Sequence, residues 1–181
     1  MKPIKIFSIL LMLCLGIATV ATAQPAAVKK AANTTFTLTT FDAKGSILST
    51  SNGVFVSNNG ICVSTWKPFV GAMKAEVTDN NGQKYSVETI LGANELYDVA
   101  KFKITAKTNA ALFAPSVVAN SAAWIVMPSQ AGAPIKANID KVEKFMTKYN
   151  YCVLSTTASE KYNGAPVLND KGQIVGIYNS N

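Results

Sequence analysis

Along most of the chain, apolar and polar residues alternate in short runs separated by turn residues, a period-two pattern that predicts strands. TTFTLTTFD places Phe36, Leu38 and Phe41 among threonines, Lys44-Gly45 turns, and ILSTSNGVFVS follows. Asn58-Asn59-Gly60 leads into ICVSTW, then come KAEVTD, the turn Asn80-Asn81-Gly82, QKYSVETILGAN, and DVAKFKI with Val99, Phe102 and Ile104. Strands spaced about 8 to 12 residues apart with Asn-Gly and Asp-Gly turns are the mark of a β-sandwich or barrel. After Thr105 the pattern is looser: SAAWIVMP, NIDKVEKFMTKYNYCVLSTTAS and GQIVGIYN read as strands, with Asn169-Asp170-Lys171-Gly172 as a hairpin turn. In Ile139 to Tyr149, Val142, Phe145 and Met146 also fall at helical spacing; the all-β context favours strand or irregular structure.

The N-terminus departs from this pattern. Lys2 and Lys5 precede the apolar run Ile6 to Val20, and Ala21-Thr22-Ala23 supplies small residues at alternate positions, so residues 1–23 read as a signal peptide. The run is too short for a good membrane span. Cys14 lies inside it, after Leu13, where a lipoprotein signal would need a small residue. The expected mature chain is exported, periplasmic or extracellular, and free of a membrane span. Residues 24–33, QPAAVKKAAN, read as a flexible leader, and residues 34–181 as the folded domain.

Composition narrows the chemistry. Of 181 residues, 17 are basic, all of them lysine, against 10 acids, and there is no histidine. The lysines are spread out and lack the interleaved aromatics of a nucleic-acid groove, so a solvated surface is the better reading and no nucleic-acid partner is expected. Without histidine, and with only Cys62 and Cys152 after the signal, neither a metal site nor a cofactor is expected. Those two cysteines sit in apolar runs, where they either form an exported disulfide or serve as small buried residues.

Three segments, in order, resemble the trypsin-like serine proteases, and HtrA-type periplasmic proteases of bacteria in particular. SNGVFVSNNGICVSTWKPFVGA resembles the family's glycine hairpin and histidine segment, G-x-G-F-x-x-x-x-G-x-I-x-T-N-x-H-V-V. VTDNNGQKYSVETILGANELYDVAKFKI is similar to the segment carrying the catalytic aspartate, and KYNGAPVLNDKGQIVGI to G-N-S-G-G-P-L-x-N-x-x-G-x-V-V-G-I. The resemblance implies an all-β, trypsin-like double barrel, with barrel one at about 34–105 and a short or incomplete barrel two at about 106–181. It sets Lys67 in the histidine position, Asp98 in the aspartate position and Asn163 in the serine position.

In the family mechanism a serine attacks, a histidine takes its proton, an aspartate orients the imidazole, and backbone N–H groups hold the oxyanion. Only Asp98 is kept. An asparagine amide is no useful nucleophile, Lys161 replaces the glycine that donates to the oxyanion, and Gly164-Ala165 replaces the glycine pair. The expected function is therefore a catalytically inactive protease homologue that binds protein or peptide or acts as a scaffold in the cell envelope. Its site would be Trp66, Lys67, Asp98, Lys161, Asn163 and Gly164. The alternative is a peptide hydrolase with Lys67 as base and Ser64, Thr65 or Ser155 as candidate hydroxyls, although a nearby Asp98 would hold the ammonium charged.

A Lys67–Asp98 ion pair is one expectation for the old cleft; an exposed Lys67 with Asp98 capping a turn is the other. Pro68 suits the start of a short helical turn and should keep Lys67 extended. Trp66 and Phe69 would pack as core or cleft lining, or stack on a ligand. Family members continue past the V-G-I strand with a further strand and a helix, whereas this chain stops at Asn181. Either barrel two is completed differently, its edge is open to a partner or an added strand, or the sequence is truncated. The sequence leaves the oligomeric state open.

Overall fold

A computed structural model of the chain describes residues 23–145 and 149–180. The signal-peptide reading of residues 1–23 therefore lies almost entirely outside the described residues, as do residues 146–148. Among the described residues, no helix is long and apolar enough to cross a membrane.

Six strands form a closed barrel: β1 (Thr35–Phe41), β2 (Ile47–Phe55), β3 (Ile61–Ser64), β4 (Lys74–Asp79), β5 (Lys84–Asn94) and β6 (Val99–Ile104). Around the ring they run β1-β2-β3-β6-β5-β4, every pair antiparallel. Five more strands form a second, open sheet: β7 (Ser121–Ile125), β8 (Ile135–Phe145), β9 (Tyr149–Leu154), β10 (Pro166–Leu168) and β11 (Ile174–Ile177). Its order is β11-β10-β7-β8-β9, again antiparallel throughout. The trypsin-like double barrel with an incomplete second half is thus the observed fold, and the stretch from Ile139 is strand.

The alternation explains the closed barrel. In β6 the residues Ala100, Phe102 and Ile104 turn inward and are fully buried, while Lys101 and Lys103 turn outward or to the rim. Phe36, Leu38, Val77 and Cys62 meet them inside, with Phe36 and Phe102 edge to face at 6.0 Å. Strand β2 must carry a glycine where it crosses this core. A Cβ on Gly53 would come within 2.2 Å of the Phe36 ring.

Three hairpins share one turn chemistry. Asp42, Asp79 and Asn169 each accept, through the side-chain oxygen, the N–H groups two and four residues on. A glycine three residues on, Gly45, Gly82 or Gly172, then takes a positive φ.

Residues 24–33 do not form the flexible leader expected from their composition. Ala26–Ala31 is a helix, α1, and a 3-10 turn follows at Ala32–Thr34. Val28 is fully buried, and packs with Ala31 and Ala32 against Val54, Trp124, Val126, Leu168 and Ile174, where the two sheets meet. The small residues that made the segment look unstructured are what allow close docking: the Gly172 turn passes against the Ala27 carbonyl. Helices this short are held by packing rather than propensity. Replacing Val28 with Asp should therefore lower unfolding free energy by about 3 kcal/mol or more, read as a lower midpoint in urea. An undocked leader would leave the midpoint unchanged.

Candidate functional site

The family-aligned positions come together where the barrel meets the second sheet, but through contacts that differ from a catalytic triad. Asp98 begins the run into β6 after a tight turn closed by its N–H on the Glu95 carbonyl, 3.2 Å, and takes a positive φ of 50°. Aspartate tolerates that conformation better than most residues. Both oxygens of its buried carboxylate have partners: Oδ1 accepts the Lys67 backbone N–H at 2.6 Å, and Oδ2 accepts the Asn179 side-chain amide at 2.9 Å.

Lys67 meets Asp98 with its main chain only. The residue is exposed, and among the described residues no ion pair involves it. The expected Lys67–Asp98 ion pair is thus replaced by a backbone contact; the other expectation, an exposed Lys67 with Asp98 capping a turn, is the one observed. The cause is local. Lys67–Phe69 is a 3-10 turn, with Pro68 inside it and bonds from Phe69 N–H to Trp66 O and from Val70 N–H to Lys67 O. This corrects the extended conformation expected for Lys67. The turn makes no use of the N–H that proline lacks, and Asp98 binds the Lys67 N–H at its start. Trp66 stacks on Phe69, ring centroids 6.0 Å apart, and Phe69 packs on Phe102, so this aromatic pair is an extension of the barrel core.

Asn163 follows the 3-10 turn Glu160–Tyr162. Its side-chain oxygen accepts the Ser180 N–H at 2.8 Å, and its own N–H is bound to the Glu160 carbonyl at 2.9 Å. The N–H that a nucleophile position would lend to an oxyanion is therefore committed within the turn. Asn179 and Ser180, adjacent in sequence, thus bridge Asp98 to Asn163. Lys161 is exposed, with Nζ 5.3 Å from the Tyr162 ring centroid, and its carbonyl accepts the Asn52 amide at 2.7 Å.

Four residues of the site were not selected from sequence for these roles: Ser51 and Asn52 at the middle of β2, Ser64 at the end of β3, and Thr65. All are buried. The Asn163 carbonyl accepts from Ser51 Oγ at 2.9 Å, from Asn52 N at 2.9 Å and from Asn52 Nδ2 at 3.1 Å. Ser51 Oγ and Thr65 Oγ1 lie 3.0 Å apart, and Ser64 Oγ donates to the Asn52 carbonyl. In the structure residues Ser51 to Phe55 are buried five in a row, which breaks the strand alternation and marks a surface covered on both faces; the polar Ser51-Asn52 pair gave no such sign in the sequence.

Against this network, Gly164 has φ 80°. A Cβ there would lie 2.0 Å from the Asn52 carbonyl oxygen and under 3 Å from Ser51 and Ser64. The candidate hydroxyls Ser64 and Thr65 are thus structural groups. Ser155, on the second sheet, accepts the Asn138 N–H at 2.8 Å.

Two cysteines follow the N-terminal segment, Cys62 and Cys152. Both are free thiols; Cys62 is inside the barrel and Cys152 on β9. Burial pushes Cys62 up to about 12, against a smaller opposing pull from Lys103, and also raises Cys152. Among the described residues no cluster of metal-ligating side chains occurs.

With this geometry in hand, comparison with solved structures is decisive for the fold. An HtrA-type protease, AlgW, solved as a substituted variant with a tripeptide, superposes with a TM-score of 0.71 at 18% identity, covering 83% of this chain and 52% of the protease. The serine endoprotease from Yersinia pestis gives the same TM-score and identity, covering 83% of this chain and 55% of its own. The fold is that of the HtrA-type serine proteases. The chain spans about half the length of these structures. No protein-family model matches the sequence, and no curated protein does.

Two substitutions separate the structural roles in this HtrA-like fold. Asp98→Ala should destabilise by about 2–4 kcal/mol, because it removes a buried charged acceptor of two hydrogen bonds, whereas Lys67→Ala should leave the urea midpoint unchanged. Gly164→Ala should cost more than about 2 kcal/mol, through strain at positive φ and a collision with β2, and the same measurement checks it.

Proposed function

We propose that this chain is an exported trypsin-fold module without protease activity, serving in protein or peptide binding in the cell envelope. One observation carries the non-catalytic part: the group at the nucleophile position, Asn163, has its side-chain oxygen, its carbonyl and its N–H all engaged in holding the molecule together. No proton there can be removed to make a nucleophile, and no N–H is left by that residue for an oxyanion. Lys67 is exposed and meets Asp98 through its backbone N–H rather than its side chain, and no hydroxyl at the Asn163 position offers it a proton to remove.

Binding is supported by the large cleft that opens beside these positions. It measures about 1030 Å³ and runs from Lys67 and Glu95–Asp98 on the barrel to β9 and β11 on the second sheet. One of the similar structures, AlgW, was solved with a tripeptide. Export rests on Lys2, Lys5, the apolar run Ile6 to Val20 and Ala21 to Ala23.

The test is a casein-cleavage assay on the purified protein and its Lys67→Ala and Asp98→Ala variants. All three should give only the buffer rate. Cleavage by the parent that disappears in either variant would falsify this reading and restore the Lys67-dependent hydrolase.

A further inference from the structure

The docked N-terminal segment begins where an exported chain would be cut. Pro25 is the N-cap of α1, and its carbonyl accepts the Lys29 N–H at 3.1 Å, the first bond of the helix. Val28 is fully buried, Ala31 and Ala32 are buried with it, and at the far end Asn80 Nδ2 donates to the Ala32 and Thr35 carbonyls, at 2.6 and 3.1 Å. The alternate small residues that a signal peptidase reads are Ala21 and Ala23. A cut after Ala23 leaves the docked segment whole, whereas a cut after Ala26 or Ala27 would remove the first turn of α1. Gln24 alone then precedes Pro25.

The chemistry of Gln24 gives that cut a consequence. Its side chain is half-buried on the wall of a cavity of about 390 Å³, with Lys29, Met127 and residues 129–134. Among the described residues no hydrogen bond holds its side-chain amide. A glutamine with a free α-amine can close on itself through Cδ to form a lactam ring. An α-amine has an ordinary pKa of about 7.7–8.0, so a share of it is uncharged and nucleophilic at neutral pH. An α-ammonium at residue 24 would also add a cation to the wall that Lys29 already lines, and the neutral lactam removes it.

We propose that Gln24 becomes the N-terminus of the exported protein and cyclises to pyroglutamate. The lone pair of the α-amine attacks Cδ, the Cδ–Nε2 bond breaks, and Nε2 leaves as ammonia with the proton that the amine gives up. No oxidant, reductant or co-reactant is needed. This rests on the export reading above and assigns a modification to the chain that export would leave. Its effect falls on α1. A lactam offers aminopeptidases no amine, so trimming cannot advance from residue 24 toward Val28, which packs where the two sheets meet.

The experiment expresses the full 181-residue precursor in a bacterium. Periplasmic and cytoplasmic fractions are read by intact mass and by tandem mass spectrometry of the N-terminal peptide, fresh and after incubation at neutral pH. The periplasmic product should begin at residue 24, weigh about 17 Da less than the unmodified chain through loss of one ammonia, and give no Edman signal. Gln24→Asn, whose shorter side chain cannot close the ring, should be cut at the same bond, keep its full mass and sequence normally. A periplasmic chain that begins at Gln24 and keeps an open amine through the incubation overturns cyclisation and leaves export standing. A start at any other residue overturns the assignment too, as does the same mass loss in Gln24→Asn, which would put the lost ammonia elsewhere in the chain. A precursor that stays uncut in the cytoplasm sinks the export reading itself, and the pyroglutamate with it.

Discussion

The Asn163 carbonyl oxygen is the point on which the junction of the two halves depends. Three donors from Ser51 and Asn52 converge on it, and the Asn52 amide reaches the Lys161 carbonyl as well. Each bond is modest in net terms, but all lie in a buried or partly buried seam where an unmade bond would leave a desolvated polar group. The seam forces the glycine at 164, because no side chain fits between the turn and β2. It also sets the position of the residues after β11, since Gly164 N–H bonds the Tyr178 carbonyl and Tyr178 N–H the Ala165 carbonyl, 2.9 and 2.8 Å. Asn179 and Ser180 are thereby delivered to Asp98 and Asn163.

A serine-protease triad makes different demands. A nucleophile must keep a free oxygen, a neighbouring base and unoccupied N–H donors, all preorganised and none satisfied in the resting state. Here the Asn163 N–H, carbonyl and side-chain oxygen and both Asp98 carboxylate oxygens have partners within the fold. Asp98 shows the change most clearly: a carboxylate that would orient an imidazole instead fixes a turn through the Lys67 N–H and a strand end through Asn179. Asp98 is a tie between the entry to β6, the 3-10 turn and the segment after β11.

Much of this was legible in the sequence, and what was missed has a common cause. The alternation in TTFTLTTF and VAKFKI, and the Asx-to-glycine turns, encode local geometry, so the strands and hairpins could be read without knowing their partners. The motif spacings located Lys67, Asp98 and Asn163 at one junction. What a residue does there depends on its long-range partners, and one-dimensional pattern is silent about these. Lys67 could be read as a charge seeking Asp98, yet the backbone reaches the carboxylate first because the 3-10 turn presents an N–H to it. Ser51 and Asn52 looked like ordinary polar strand residues because their acceptor is over a hundred positions away. Residues 24–33 looked like a tether because small residues signal mobility when alone and close packing when covered.

The unequal completion of the two sheets follows from the same division between local and long-range information. Barrel one closes because β6 satisfies two neighbours at once, burying Phe102 and Ile104 while pairing with β3 and β5. The second sheet has neighbours of the same kind, β9 and β11, facing a gap of the same kind. Its inner surface is nevertheless well packed near β7 and β10, where Ile125, Ala165 and Val167 are buried with Tyr162 and Tyr178. Burial weakens toward β9, where Cys152 and Leu154 are half-covered and Tyr151 and Val153 exposed. A sheet packed at one edge can keep its shape while apolar groups at its other edge stay exposed. That gradient sets the packed edge, tied to barrel one through Asn163, apart from the exposed edge at β9.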